Sequence, residues 1–381
     1  MRDRIRIIIL LSLVLLLPIS TVYAVENIDV IDSLDWSDVE KIFNELPVDF
    51  KAFFGGDIKQ YISEFSKNNE SFNFENFKIL IMSNLTSSLE KHLSLFSIVL
   101  LIIIISSLFK SIKPDFASNS VSRIVDFSVA VIIGSILSYS ILTFVKSVSN
   151  FVSTINSLIQ VFFPLIFTIL TTLGATVSTG SFQICASIFV NVLTSIIVGL
   201  VLPVAVLGIV FSIISTIKRN SSAKSISFSL VNFAKKSICI IFFIFSGVIA
   251  LQGISVSVKD TVSVRIAKFS LNKYIPIIGG YLSEGFNYLY AGSVLLKNSI
   301  GVSFIILICV ITLPVLIEVT TCHILLKISA SVSGTMSENK LMEMFGGLSK
   351  CTSLLITSII CISVCLIIFV GIVILSCNSV L

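Results

Sequence analysis

Long apolar segments constrain this chain more than any other feature. Six segments are apolar over a length that can cross a bilayer, and they lie at 93–112, 124–145, 182–205, 237–254, 300–322 and 353–376. A helix needs about 20 apolar residues to cross the hydrocarbon core. Charged residues make up only 12% of the chain, against about a quarter in soluble domains. The chain is therefore predicted to be an all-α polytopic membrane protein with six transmembrane helices.

The N-terminus has the three-part pattern of a secretory signal peptide. Three arginines precede an apolar run from Ile7 to Leu17, and the sequence Val-Tyr-Ala ends at Ala24. We expect residues 1–24 to be a signal peptide cleaved after Ala24, with an uncleaved signal anchor as the alternative. In both cases residues 25–92 are predicted to be exported from the cytoplasm.

The exported segment is acidic, whereas the membrane segment is basic. Residues 25–92 contain 13 acidic and 6 basic side chains, and residues 93–381 contain 7 acidic and 17 basic ones. The sequence Ser-Asp-Val-Glu from Ser37 is a capping box, which starts a helix. We therefore predict a small, helical, acidic head over 25–92. We interpret the basic excess over 93–381 as an orientation signal, so no nucleic-acid partner is predicted.

Three basic loops set the predicted orientation. They contain Lys110, Lys113 and Arg123; Lys218, Arg219, Lys224, Lys235 and Lys236; and Lys327, Lys340 and Lys350. Lys and Arg are enriched in cytoplasmic loops of membrane proteins. Placing all three loops in the cytoplasm puts the head outside, which agrees with the signal peptide.

Two regions between the apolar segments, 146–181 and 255–299, resemble each other in the spacing of proline, glycine and serine. We predict a tandem repeat over about 121–217 and 232–328 with both copies in the same orientation, and chance similarity is the alternative. Each copy is predicted to form a span, an outer helical hairpin and a second span. If the first hairpin enters lipid, the number of spans rises to eight. Proline removes a helical hydrogen bond, so helix breaks are expected at Pro164, Pro203, Pro276 and Pro314.

Few residues in the sequence suggest catalysis. The sequence lacks the phosphate-loop, HExxH, GxSxG and paired CxxC patterns, and it has two histidines. Its eight cysteines lie in or beside apolar segments, where small apolar packing is their usual role. We predict no enzyme activity, no catalytic residue, no metal and no cofactor.

Glu318 is the most unusual single residue, because it lies four residues past Pro314 within an apolar segment. An ionisable group inside a membrane suggests a function by default. A proton relay with His323 is one hypothesis, and a structural contact is the other.

The region 247–301 resembles the stage III sporulation protein AE family of endospore-forming bacteria. The matching elements are Gln252-Gly253, Asp260, Arg265 with Ala267-Lys268-Phe269, Ile275-Pro276 with Gly279, Leu295-Leu296-Lys297-Asn298 and Gly301. The order of signal peptide, short head and multi-span body also matches, so the resemblance covers essentially the whole chain. Thr261 stands where the family pattern has glycine.

The resemblance implies a role in sporulation after engulfment. Members of this family belong to a set of mother-cell proteins that, with a forespore partner, is thought to form a channel or secretion-like complex. It implies other stage III sporulation membrane proteins, a separate ATPase subunit and the lipid bilayer as partners. It also implies a multi-pass location in the mother-cell membrane around the forespore. The family supplies no catalytic residues.

Candidate contact or vestibule residues follow from the polarity of the second predicted hairpin, and they are Arg265, Lys268, Asn272, Glu284, Lys297 and Asn298. The leading hypothesis is a non-enzymatic channel-complex subunit. One alternative is an autonomous secondary transporter, or permease, with a site near Arg265, Lys268 and Glu318. Another is a scaffold that lines no pore.

Overall fold

The computed structural model describes residues 36–45, 51, 53–67, 74–111, 119–172, 176–218, 221–274, 279–336 and 338–375. The predicted signal peptide with Ala24 and the predicted helix break at Pro276 lie outside these residues.

The described residues are organised as nine α-helices and one π-helical turn. Two short helices are α1 (Ser37–Glu45) and α2 (Ile58–Lys67), and the others are α3 (Phe74–Ser111), α4 (Asn119–Thr172), α5 (Thr176–Ile196), α6 (Leu202–Lys218), α7 (Ser221–Tyr274), α8 (Gly279–Thr335) and α9 (Asn339–Leu375). The π turn, Ile197–Val201, joins α5 to α6.

Six stretches of the described helices are long and apolar enough to cross a membrane. They are Glu75–Phe109, Ile124–Thr171, Gln183–Ile217, Ser225–Ile249, Lys297–Thr335 and Asn339–Ile374. Each overlaps one of the six predicted segments. The predicted all-α, six-span architecture is therefore confirmed, while the tandem repeat stays a prediction.

The helices are longer than predicted, and two prolines do not interrupt them. Helix α4 has 54 residues and continues through Pro164, and α8 has 57 residues and continues through Pro314. The predicted breaks at Pro164 and Pro314 are therefore wrong, as is a hairpin turn at Pro164. A proline removes one hydrogen bond from a helix, and a long helix packed against neighbours tolerates that local loss. Thr168 also donates a side-chain hydrogen bond of 2.8 Å to the Pro164 carbonyl.

Pro203 does coincide with an irregularity. The π turn Ile197–Val201 directly precedes α6, and the Leu202 N–H donates to the Ile197 carbonyl five residues earlier. Pro203 is the second residue of α6 and has no N–H to donate. The widened turn therefore lies where the α-helical pattern loses a donor, and the helical rod continues through it.

Helix α9 is the centre of the bundle. It packs against α6, α7 and α8, and its span is the most buried of the six. Its side chains are buried on all faces, including Leu354, Leu355, Ile359, Cys365 and Leu366. The long helices run up and down around it, so that the ends of α3, α6 and α8 meet the starts of α4, α7 and α9.

Helices α1 and α2 form the described part of the head. Phe54 makes edge-to-face contacts with Phe43, at 5.8 Å between ring centroids, and with Tyr61, at 5.0 Å. Burial raises the pKa of Tyr61 to about 12. Phe53 lies 6.1 Å from Phe77 of α3, so this aromatic core attaches the head to the first long helix.

Glycines bring α6 close to α9. A Cβ atom at Gly347 of α9 would lie 2.4 Å from the Oγ of Ser212, and one at Gly208 of α6 would lie 2.7 Å from the Sγ of Cys351. Small residues permit this close approach between membrane helices. A Cβ at the neighbouring Gly346 would meet nothing within 4 Å.

These two adjacent glycines make a matched test of the packing. We expect Gly347→Ala to lower the free energy of unfolding by roughly 1–3 kcal/mol, because the added methyl overpacks the contact with Ser212. Gly346→Ala should be neutral or stabilising, since alanine favours a helix more than glycine does. Thermal unfolding in detergent compares the two variants, and equal melting temperatures would contradict the described α6–α9 contact.

Candidate functional site

Glu318 on α8 is held in an ion pair with a lysine of α3. The Lys91 Nζ donates to the Glu318 Oε1 at 2.8 Å. The Lys91 side chain is 60% exposed, whereas the Glu318 side chain is 21% exposed. The intramembrane carboxylate predicted from the sequence therefore joins two helices whose residues are far apart in the chain.

His92 lies behind this ion pair and is 2% exposed. Its Nε2 is 3.9 Å from the Glu318 Oε1, and its ring meets Phe144 of α4 edge-on at 5.2 Å. Within the described part of the chain, neither ring nitrogen has a hydrogen-bond partner, nor does the Oγ of Ser88 one turn earlier. Buried polar groups are nearly always hydrogen-bonded, so this junction of α3, α4 and α8 is chemically distinctive.

The predicted relay partner, His323, lies elsewhere. Its Nδ1 is 2.9 Å from the Thr352 Oγ1 and 3.3 Å from the Ser349 Oγ, both on α9. Glu318 and His323 are five residues apart on α8, so their side chains point about 140° apart around the helix axis. They therefore face different neighbouring helices. The described partners of Glu318 are Lys91 and His92 on α3, and the proton relay between Glu318 and His323 stays a prediction.

A second polar cluster lies near the C-terminal end of α3. Lys340 at the start of α9 forms an ion pair with Asp126 of α4, and the Ser106 hydroxyl of α3 donates to Glu338 at 3.3 Å. These four side chains and Thr216 of α6 line a small, partly open recess. The cluster ties α3, α4 and α6 to the α8–α9 connection. The sequence predicts Lys340 to lie in a cytoplasmic loop, and no local pattern marks Asp126 or Glu338 as a site residue.

The predicted contact residues fall in three groups. Arg265, Lys268 and Asn272 belong to the last part of α7, and Glu284 belongs to the first part of α8, but their side chains lie outside the described ones. Lys297 is fully buried, so it lies inside the bundle and not on a surface that another subunit contacts.

Asn298 is half-buried. Its buried Oδ1 has no hydrogen-bond partner among the described residues.

The described residues contain no group of three or more His, Cys, Asp or Glu side chains placed to hold a metal ion. The seven cysteines in the described ranges have free thiols. Charged side chains instead join helices, as the pairs Lys91–Glu318 and Asp126–Lys340 do. The arrangement can hold helices in register.

Comparison with known proteins identifies a family. The family model described as Stage III sporulation protein AE matches residues 56–377. Stage III sporulation protein AE of Bacillus subtilis (strain 168) is 24% identical over 301 residues, which cover 79% of this chain and 75% of that protein. No solved structure matches the chain significantly.

A double-mutant cycle tests the ion pair between α3 and α8. We expect Lys91→Met and Glu318→Gln each to lower the free energy of unfolding, with a coupling of roughly 0.2–1 kcal/mol, because one partner is largely exposed. Thermal unfolding of the two single variants and the double variant in detergent gives the coupling.

The exposed neighbour Glu90 supplies the control. A cycle that combines Lys91→Met with Glu90→Gln should be additive. Additivity of the Lys91 and Glu318 substitutions would show that the two side chains do not interact.

Proposed function

This chain belongs to the stage III sporulation protein AE family, and we propose that it is a non-enzymatic membrane subunit of a channel or secretion-like complex between the mother cell and the forespore. Membership of this family and six span-capable helices together indicate a multi-pass membrane protein of sporulation. We further propose that the complex lies between the two cells and that sporulation requires it after engulfment.

The observation that best supports a subunit role is the use of polar side chains between helices. Lys91 pairs with Glu318 and Lys340 with Asp126. The Lys350 Nζ lies 3.1 Å from the centre of the Phe228 ring, a favourable cation–aromatic contact. These three contacts each join two different helices of the bundle.

The proposed orientation places the head outside the cytoplasm, in the space between the mother-cell and forespore membranes. The basic loops and the signal-peptide pattern support this orientation. Glu40 and Asp57 are exposed on the head, and the predicted exported segment is acidic overall. We propose that the head binds basic surfaces of other stage III sporulation membrane proteins, since complementary charges steer association. A separate ATPase subunit would supply energy to the complex.

Affinity purification of the tagged full chain from sporulating cells tests the proposal. We expect other stage III sporulation membrane proteins to co-purify, and deletion of the gene to stop spore formation after engulfment. Recovery of the chain without such partners, together with normal spores after deletion, would contradict the proposal.

A liposome assay separates this role from that of an autonomous permease. The protein alone is expected to give no small-solute flux. Flux that Glu318→Gln abolishes and Glu90→Gln preserves would favour a permease instead.

The charge of the head gives a separate prediction. Asp57 accepts hydrogen bonds from the N–H groups of Lys59, at 2.8 Å, and Gln60, at 3.3 Å, at the start of α2. Asn caps a helix about as well as Asp, so Asp57→Asn removes the charge and keeps the cap. We expect Asp57→Asn with Glu40→Gln to weaken partner capture at low salt and to make capture less sensitive to salt, because fewer charges remain to be screened.

Capture in a series of salt concentrations measures this effect. Lys59→Gln is the control, because it removes a positive charge from the same surface and should not weaken capture. Equal salt sensitivity of the acidic-residue variant and the wild type would exclude head charge as the basis of binding.

A further inference from the structure

Contacts with α9 allow positions on the other helices to be compared by their height along the bundle. Lys235 of α7 donates to Ser353 of α9 at 3.1 Å, and His323 of α8 contacts Thr352. Lys91 and His92 of α3 reach Glu318, one and a half turns from His323. Lys91 on one side of the bundle and Lys235 on another therefore lie at nearly the same height, which we call the middle level.

Most of the exposed apolar side chains of α3 and α4 lie on one side of the middle level. On α3 they run from Leu93 to Phe109, and on α4 from Ile124 to Leu142. This belt is about 25 Å long, close to the thickness of a bilayer core. Two lysines with exposed side chains, Lys91 and Lys146, bound it toward the head, and lysine is typical of membrane–water boundaries. On the head side of Lys91, α3 exposes Ile79, Met82 and Leu85 among more numerous polar side chains, such as Lys78 and Glu90.

Most of the exposed apolar side chains of α7 lie on the opposite side of the middle level. The two that precede Lys235, Ile226 and Phe233, lie among exposed polar residues such as Ser229 and Asn232. Those on the opposite side include Ile240, Phe243, Ile244, Val248 and Leu251, which follow the exposed Lys236 toward the head end of α7. Helix α5 continues this second belt with Ile184, Ile188 and Val192. The lipid-facing belt is therefore stepped, because its two halves lie at different heights on the two faces of the bundle.

At the height of the α7 belt, the exposed face of α4 is polar. From residue 143 onward its exposed positions repeat every three or four residues, and all but Pro164 are polar: Thr143, Lys146, Asn150, Ser153, Ser157, Gln160, Thr168 and Thr171. A helix face of this kind faces water or protein and not lipid. Between its start and residue 143, the same helix exposes the apolar side chains of Ile124, Phe127, Ile132, Tyr139 and Leu142.

The head occupies the same side as this polar stripe. Phe53 of the head contacts Phe77 of α3, about 21 Å beyond Lys91 along that helix. Exposed charges such as Asp57 and Glu40 belong to this unit. A water-exposed unit therefore stands beside α3 at a height where α7 and α5 expose apolar side chains.

We infer that the bundle crosses the bilayer obliquely, with lipid covering α3 and α4 below the middle level and α5 and α7 above it. The polar stripe of α4 then faces water next to the head, at a height where the far side of the bundle is in lipid. This orientation accounts for both apolar belts, for the lysines at their edges and for the position of the head. It does not depend on the proposed function.

An upright bundle is the competing arrangement. Lipid would then cover only the α5–α7 belt, the α4 stripe would line an aqueous passage, and the α3–α4 belt would need another protein to cover it. The observations favour the oblique arrangement because the α3–α4 belt has the length of a bilayer core and ends at Lys91 and Lys146.

Tryptophan fluorescence distinguishes the two arrangements, because the chain has a single tryptophan, Trp36. In a Trp36→Phe background, Phe127→Trp and Phe243→Trp each place a probe at an exposed phenylalanine. Phe127 comes directly after Asp126, which contacts Lys340 at the start of α9. Phe243 comes eight residues after Lys235, which contacts Ser353 further along α9. The two positions are about 30 Å apart along the bundle, so an upright bundle cannot place both deep in lipid.

The full-length protein is reconstituted in vesicles with lipids brominated near the middle of their acyl chains. We expect the Phe127→Trp and Phe243→Trp variants to be quenched to within about twofold of each other, since both positions lie in hydrocarbon. A Ser153→Trp variant should be quenched by aqueous acrylamide and not by the brominated lipid.

Quenching of the Phe243→Trp variant without quenching of the Phe127→Trp variant would overturn the inference and support an upright bundle. Quenching of the Ser153→Trp variant by brominated lipid would also overturn it. Circular dichroism checks the fold of each variant. If either phenylalanine variant misfolds, Ile132→Trp and Ile244→Trp form a second exposed pair on the same two belts.

Discussion

The packing of long helices around α9 is the interaction on which the rest of the structure depends. A helix that crosses lipid satisfies its own backbone hydrogen bonds, but it gains no hydrophobic free energy by leaving lipid for protein. Close contact through small residues and a few interhelical polar bonds must therefore hold the bundle. Gly347 and Gly208 permit that contact on α6 and α9, while Thr312 and Ser363 join α8 to α9 at 2.9 Å. These contacts fix the heights of the helices, and with them the position of each exposed side chain.

The sequence predicted the number and kind of the spanning helices because hydrophobicity is a local property. It also predicted the start of α1 at Ser37. A helix break was predicted at Pro203, where the structure has a π turn followed directly by α6. The breaks at Pro164 and Pro314 were wrong because tertiary packing overrides the local cost of a proline. The ion pair between Lys91 and Glu318 joins residues separated by 227 positions, and no local pattern indicates such a contact. The relative heights of the helices were unpredictable for the same reason.

The structure also changes how the polar residues are interpreted. In the sequence, Glu318 is a lone carboxylate in an apolar segment. In the structure it pairs with Lys91 of α3, the helix that carries the head. His92 is buried beside the same carboxylate, so this junction of α3 and α8 holds two titratable side chains besides Lys91.

Cross-linking mass spectrometry in sporulating cells tests the central claim, a subunit role in a complex between two membranes, most directly. A membrane-permeant, lysine-reactive cross-linker applied after engulfment should link head lysines such as Lys41 and Lys59 to other stage III sporulation membrane proteins. Lysines of the segments predicted to be cytoplasmic, such as Lys236 of α7 and Lys327 of α8, should be linked to cytoplasmic proteins. Links from the head only to other parts of the same chain, or from the head to cytoplasmic proteins, would contradict the account.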